Sequence, residues 1–66
     1  MTLTKISAGR YETTVNGRLV QIFTGRYEHA NDTTWRFVVD GEWWQSYGTK
    51  AAAAQAIDEC IEEGIL

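Results

Sequence analysis

Residues 35–61 have the sequence WRFVVDGEWWQSYGTKAAAAQAIDECI, and all three tryptophans of the 66-residue chain lie within them. The pair Asp40-Gly41 separates two apolar runs, which is typical of a two-residue hairpin turn. After Thr49, an alanine-rich segment has apolar residues at helical spacing. This stretch therefore predicts a β-hairpin that continues directly into an amphipathic helix.

The Asp40-Gly41 turn also predicts how the two flanking strands pair. On one face the expected pairs are Val39–Glu42, Phe37–Trp44 and Trp35–Ser46. On the other face they are Val38–Trp43, Arg36–Gln45 and Thr34–Tyr47. Because side chains alternate between the faces of a strand, we expect Trp44 in the core and Trp43 on the opposite surface, with Tyr47.

An Asn16-Gly17 pair earlier in the chain predicts a second hairpin of the same kind. Its expected pairs are Val15–Arg18, Thr14–Leu19, Thr13–Val20, Glu12–Gln21, Tyr11–Ile22 and Arg10–Phe23. The two hairpins predict an α+β fold in one domain, residues 1–66. It is an antiparallel β-meander of three to four strands with one C-terminal α-helix packed on one face. The segment Leu3–Ile6 would extend an edge of this sheet.

The helix has two candidate N-caps, Thr49 and Ser46, of which Thr49 is better placed before the alanine run. Helical spacing puts one apolar stripe against the sheet, formed by Ala53, Ala56, Ile57, Cys60 and Ile61. Gly64 is expected just past the helix end, with Ile65 and Leu66 folding back.

Composition gives no support to catalysis. The single histidine, His29, falls in a predicted loop, and the single cysteine, Cys60, falls on the inner helix stripe. They are too few for a Cys/His zinc site, and no phosphate-binding loop or nucleophile motif occurs. We expect no enzymatic activity, catalytic residue, metal or cofactor. No signal sequence or membrane-spanning run is evident, which predicts a cytoplasmic protein without a membrane partner.

Charge is unevenly distributed along the chain. Residues 1–50 carry six cations and five acids, whereas residues 51–66 carry four acids and no cation. Those acids are Asp58, Glu59, Glu62 and Glu63, near the helix C-terminus, where negative charge opposes the helix dipole. They indicate either a solvated helix face or a second contact surface. The net charge of −3 is not that of a typical nucleic-acid binder.

Aromatic residues interleaved with arginine predict a binding surface on the sheet face opposite the helix. The candidate residues there are Arg10, Phe23, Arg36, Val38 and Trp43. The acidic helix residues Glu59, Glu62 and Glu63 form a second candidate surface. Alternatively, the sheet face is covered by Leu3 and Ile6 or by a second subunit, or the two faces are exchanged.

Residues 34–61 resemble the end of an AP2-type DNA-binding domain and the AP2-like amino-terminal domains of phage-type integrases. The resemblance lies in the segment WWQSYGTKAAAAQAID at 43–58, a tryptophan-containing strand followed by a Thr-capped, alanine-rich helix. It implies a β-β-β-α plan in which Trp43 and Arg36 face DNA. Those families carry many arginines on that face, and here Glu12, Leu19, Gln21, Val38 and Gln45 take many of the places.

Three functional hypotheses follow. The first is a protein-binding module, such as a phage or mobile-element accessory protein or an inhibitor of a host factor, acting in the host cytoplasm. Size and general character, rather than a motif, make the chain similar to such short phage proteins. The second hypothesis is an AP2-like DNA-binding domain that uses the sheet. The third is a self-assembling structural subunit, a homo-oligomer that buries the same face.

Overall fold

Two hairpin turns determine the course of the chain, and both use residues with positive φ. The computed structural model describes residues 2–66. In it φ is 52° at Asn16 and 79° at Gly17, and 51° at Asp40 and 81° at Gly41. These values are those of type I′ turns, whose twist matches that of paired strands. Both predicted two-residue turns are confirmed.

Five strands form one antiparallel sheet, and their spatial order is their order in the sequence. The elements are β1 (Thr4–Ser7), β2 (Arg10–Val15), β3 (Arg18–Thr24), β4 (Trp35–Val39), β5 (Glu42–Tyr47) and the helix α1 (Lys50–Glu62). The α+β class, with an antiparallel sheet and one C-terminal helix, is therefore confirmed. The expected three to four strands are too few, because β1 pairs with β2 as an edge strand.

The β2–β3 hairpin has the predicted register in all six pairs. The β4–β5 hairpin begins as predicted, with Val39 opposite Glu42 and Val38 opposite Trp43. A β-bulge then shifts the register. The predicted pairs Phe37–Trp44, Trp35–Ser46, Arg36–Gln45 and Thr34–Tyr47 are therefore wrong. The observed pairs are Phe37–Gln45, Arg36–Ser46 and Trp35–Tyr47.

The bulge gives β5 one more residue than the part of β4 that it faces. Trp44 is the extra residue, and its ring centre lies 5.4 Å from that of Phe37. Tyr47, which we expected on the outward face, instead pairs with Trp35 and packs against the core. The bulge therefore allows Trp44 and Tyr47 to lie on the same side of the sheet.

Buried residues of the sheet and of α1 form one hydrophobic cluster. Its members are Val20, Ile22, Trp35, Phe37, Val39, Ala53, Ala56, Ile57 and Leu66. In the predicted helix stripe, Cys60 is only half-buried and Ile61 is 37% exposed. The stripe is thus buried in its first two turns and becomes accessible toward the end of α1.

Both ends of α1 are capped. The Thr49 side-chain oxygen accepts a hydrogen bond from the Ala52 N–H at 3.1 Å, so Thr49 is the N-cap, as predicted, and Ser46 is not. At the other end Gly64 has φ of 75°. The Ile65 N–H donates to the Cys60 carbonyl at 2.9 Å, as in a Schellman motif.

The segment that follows α1 is held by the β2–β3 turn. Leu66 is buried in the cluster, whereas Ile65 is 51% exposed. The Asn16 side chain donates to the Leu66 carbonyl at 3.0 Å, and Arg18 donates to the Ile65 carbonyl at 3.3 Å. The last residues of the chain thus fold back onto the first hairpin.

Candidate functional site

The sheet face opposite the hydrophobic cluster carries the predicted binding residues. Strand pairing aligns Arg10, Phe23 and Arg36 in one row across β2, β3 and β4. A second row contains Gln21, Val38 and Trp43. We call the surface made by these six residues the outer face. The five sheet residues selected from the sequence therefore lie together on one surface, and Gln21 joins them.

The Phe23 ring is flanked by two guanidinium groups. The central guanidinium carbon lies 5.4 Å from the ring centre in Arg10 and 5.9 Å in Arg36. Both distances fall in the range of cation–π attraction. The half-buried ring thus restricts where the two arginine side chains lie.

Arg36 is neutralised within the chain. Its Nη2 atom lies 3.1 Å from Oδ2 of Asp32 in the β3–β4 loop. The other carboxylate oxygen of Asp32 accepts hydrogen bonds from the Thr34 hydroxyl at 2.8 Å and from the Thr34 N–H at 3.2 Å. These hydrogen bonds, and then the neighbouring Arg36, lower the pKa of Asp32. Arg10, in contrast, has no ion pair within residues 2–66.

Apolar surface continues beside the arginine row. Trp43 is 59% exposed, whereas Val38, its partner across the strands, is only 8% exposed. Leu19 is also exposed and belongs to the same face of β3 as Gln21 and Phe23. Large exposed aromatic residues near arginine are typical of contact surfaces between proteins.

A small depression lies at the β1–β2–β3 end of the outer face. Its volume is about 50 Å³, and its lining residues are Ile6, Arg10, Tyr11, Gln21, Ile22 and Phe23. We did not select Ile6 or Gln21 as site residues from the sequence. Gln21 could have been found from its position in the β2–β3 pairing. Ile6 was expected here only under the alternative in which Leu3 and Ile6 cover this face, because its place depends on how β1 pairs.

The acidic helix residues do not join this surface. Glu59, Glu62 and Glu63 are exposed at the C-terminal end of α1 and its cap. The buried residues of α1 belong to the hydrophobic cluster, whose members include none of the six outer-face residues. The eight candidate residues therefore divide into two separate surfaces, an outer face with arginine and aromatic residues and an acidic surface at the end of α1.

The single histidine and the single cysteine lie in different parts of the fold. His29 is exposed in the β3–β4 loop. Burial, together with the nearby Glu63 and Glu59, raises the pKa of the Cys60 thiol, which favours its unreactive protonated form at neutral pH. In the described part of the chain, no three His, Cys, Asp or Glu side chains are grouped so as to hold a metal ion. Nor does any helix of residues 2–66 have the length and apolar character that crossing a bilayer requires.

Comparison of the chain with models of protein families, with curated proteins and with solved structures finds no match. The resemblance to AP2-type domains thus stays a sequence-based prediction. The function has to be argued from the outer face itself.

Proposed function

We propose that this chain is a non-enzymatic module that binds a protein partner through the outer face of its sheet. The observation that carries the proposal is the exposed indole of Trp43, which lies beside buried Val38 and next to the Arg10–Phe23–Arg36 row. Tryptophan, phenylalanine and arginine are enriched in protein–protein interfaces and in their energetic hot spots.

The proposal takes α1 to cover the opposite face of the sheet. In support of this arrangement, Ala53, Ala56 and Ile57 of α1 are buried in one cluster with Phe37 and Val39. Along β4, Arg36 and Val38 alternate with Phe37 and Val39 and therefore belong to the outer face, which is left for a partner.

The charges on the outer face favour a protein partner over a DNA partner. Arg36 is already paired with Asp32, and Glu12 lies on the same face of β2 as Arg10. A DNA-binding sheet gains affinity by releasing one counterion for each phosphate that it neutralises. With one unpaired arginine in this surface and a net charge of −3, that gain is small.

The experiment compares partner capture by the wild-type chain with capture by Trp43→Ala. Tyr27→Ala is the matched control, because Tyr27 is 65% exposed but lies in the β3–β4 loop and not in the outer face. We expect Trp43→Ala to lose a specific protein partner that Tyr27→Ala retains. Circular dichroism melts of the two variants should stay close to that of the wild type.

Three outcomes would count against the proposal. The first is an identical set of captured proteins for the wild type and Trp43→Ala. The second is salt-sensitive binding to duplex DNA that Trp43→Ala abolishes, which would favour the DNA hypothesis. The third is a stable dimer in light scattering that Trp43→Ala converts to a monomer, which would favour a self-assembling subunit.

A further inference from the structure

The depression beside Arg10 combines one free charge with apolar walls. The guanidinium of Arg10 stacks on Phe23 but has no carboxylate partner within residues 2–66. Ile6, which is 53% exposed, lines the depression together with Phe23. Gln21 adds an amide group. A short side chain that ends in an anion would meet both apolar and polar groups there.

We infer that this depression receives a single carboxylate side chain, from an aspartate or glutamate of the protein partner. The inference rests on the proposed function and adds the chemistry of the partner. Arg10 is the counter-charge, and the methylene groups of the incoming side chain lie between Ile6 and Phe23. Stacking on Phe23 restricts the guanidinium beforehand, which lowers the conformational entropy lost on binding.

The neighbouring charges explain why the site takes one carboxylate and not a run of anions. Gln21 donates to the Glu12 carboxylate at 3.5 Å, so that a negative charge lies next to the depression. Arg36 is engaged by Asp32. A second anion next to the first would be repelled by Glu12, and Arg10 is the one outer-face cation without an ion pair within residues 2–66. The arrangement suits an isolated acidic residue with apolar neighbours better than a phosphate backbone.

The test is a titration of the isotope-labelled full chain, followed by NMR, with two capped peptides, acetyl-Leu-Glu-Leu-amide and acetyl-Leu-Gln-Leu-amide. We expect the glutamate peptide to shift the signals of the Arg10 side chain and the Ile6 methyl groups. It should bind about fivefold more tightly than the glutamine peptide, the preference that an exposed ion pair supplies.

Variants of Arg10 and of Glu12 should change the affinity for the glutamate peptide in opposite directions. Arg10→Gln should lower the affinity for the glutamate peptide to that for the glutamine peptide, and Arg10→Lys should retain part of the preference. Glu12→Gln should raise the affinity for the glutamate peptide about twofold, because a repelling charge is removed. Circular dichroism melts of all three variants verify that the fold is kept.

Equal binding of the two peptides would overturn the inference. So would a preference for the glutamate peptide that survives in Arg10→Gln, or shifts confined to residues that do not line the depression. Tighter binding of inorganic phosphate in the same titration would indicate that the depression receives a phosphate and not a carboxylate. None of these outcomes decides the proposed function, which depends on partner capture by Trp43→Ala and Tyr27→Ala.

Discussion

The rings of Phe37 and Trp44 lie with their centres 5.4 Å apart, although the residue that pairs with Phe37 across the strands is Gln45. Trp44 packs against the core, while the adjacent Trp43 is 59% exposed. Two consecutive tryptophans therefore have different roles. Trp44 contributes to the packing of the fold, and Trp43 is proposed as a contact residue.

Alanine substitution of these two residues should separate the roles. We expect Trp44→Ala to lower the free energy of unfolding by about 2–3 kcal/mol, somewhat less than for a fully buried tryptophan. Trp43→Ala should change it by less than about 0.5 kcal/mol, as at an ordinary surface position. Urea unfolding followed by circular dichroism measures both values. A larger loss in Trp43→Ala would mean that the two faces are exchanged.

Backbone conformation predicts the effect of replacing each of three glycines by alanine. Gly17 and Gly41 have positive φ and no atom near an added Cβ, whereas Gly48 is equally open but lacks positive φ. Gly17→Ala and Gly41→Ala should therefore each cost about 1–2 kcal/mol through backbone conformation alone. Gly48→Ala should be neutral or slightly stabilising. Thermal melts of the three variants test this, and equal melting temperatures would contradict it.

The N-cap of α1 should be sensitive to loss of one oxygen atom. Thr49→Ala removes the acceptor for the Ala52 N–H and should cost about 1 kcal/mol. Thr49→Ser keeps the acceptor and should restore most of the loss. Ser46→Ala, at the other N-cap candidate from the sequence, serves as the control. A greater loss of helical circular dichroism in Ser46→Ala than in Thr49→Ala would be inconsistent with this cap.

We expect two aspartates to make the free energy of unfolding depend on pH in the acid range. Hydrogen bonds from Thr34 lower the pKa of Asp32, and the Leu19 N–H lowers that of Asp40. A carboxyl group whose pKa is lower in the folded chain stabilises the fold fully above its unfolded pKa, about 3.9. That contribution is lost as the pH falls through the folded pKa. The free energy of unfolding should therefore decrease as the pH drops below about 4.

The double variant Asp32→Asn with Asp40→Asn isolates this contribution. We expect it to be less stable than the wild type at neutral pH and to lose less stability on acidification. Urea unfolding at several pH values between neutral and strongly acid gives both slopes. An unchanged slope in the double variant would show that other carboxylates cause the acid sensitivity.

Local sequence was sufficient to predict the turns and the helix start. Asn16-Gly17 and Asp40-Gly41 adopt type I′ turns because few other residue pairs tolerate positive φ twice. The capping role of Thr49 follows equally from its position before the alanine run. These features need only a few consecutive residues, and no distant contact competes with them.

The bulge could not be predicted in this way, and the edge strand β1 was predicted only as an extension of the sheet by Leu3–Ile6. The sequence of β5, EWWQSY, is compatible with a regular pairing as well as with a bulged one, and both bring Trp44 near Phe37. The bulged pairing in addition sets Tyr47 opposite Trp35 and against the core. β1 is short and wholly exposed, so it leaves no hydrophobic pattern, and pairing with β2 alone defines it.

The candidate site was predicted as far as the register of the first hairpin allowed. The alignment of Arg10 with Phe23 follows from the Asn16-Gly17 turn, and the five sheet residues do share one face. The pairing of Arg36 with Asp32 was not foreseen, because Asp32 lies in an irregular loop whose course has no sequence signature. Because of this ion pair, Arg10 is the one outer-face arginine that has no carboxylate partner within residues 2–66.

The link between Asn16 and Leu66 has a consequence for how the chain folds. Every strand pairs with its neighbour in sequence, so the sheet requires only short loops to close, and such contacts form quickly. The Asn16–Leu66 hydrogen bond joins residues 50 positions apart, and closing that loop costs more chain entropy. We expect Leu66→Ala to accelerate unfolding and to leave the refolding rate nearly unchanged in stopped-flow kinetics. That result would place the docking of Ile65 and Leu66 after the formation of the hairpins.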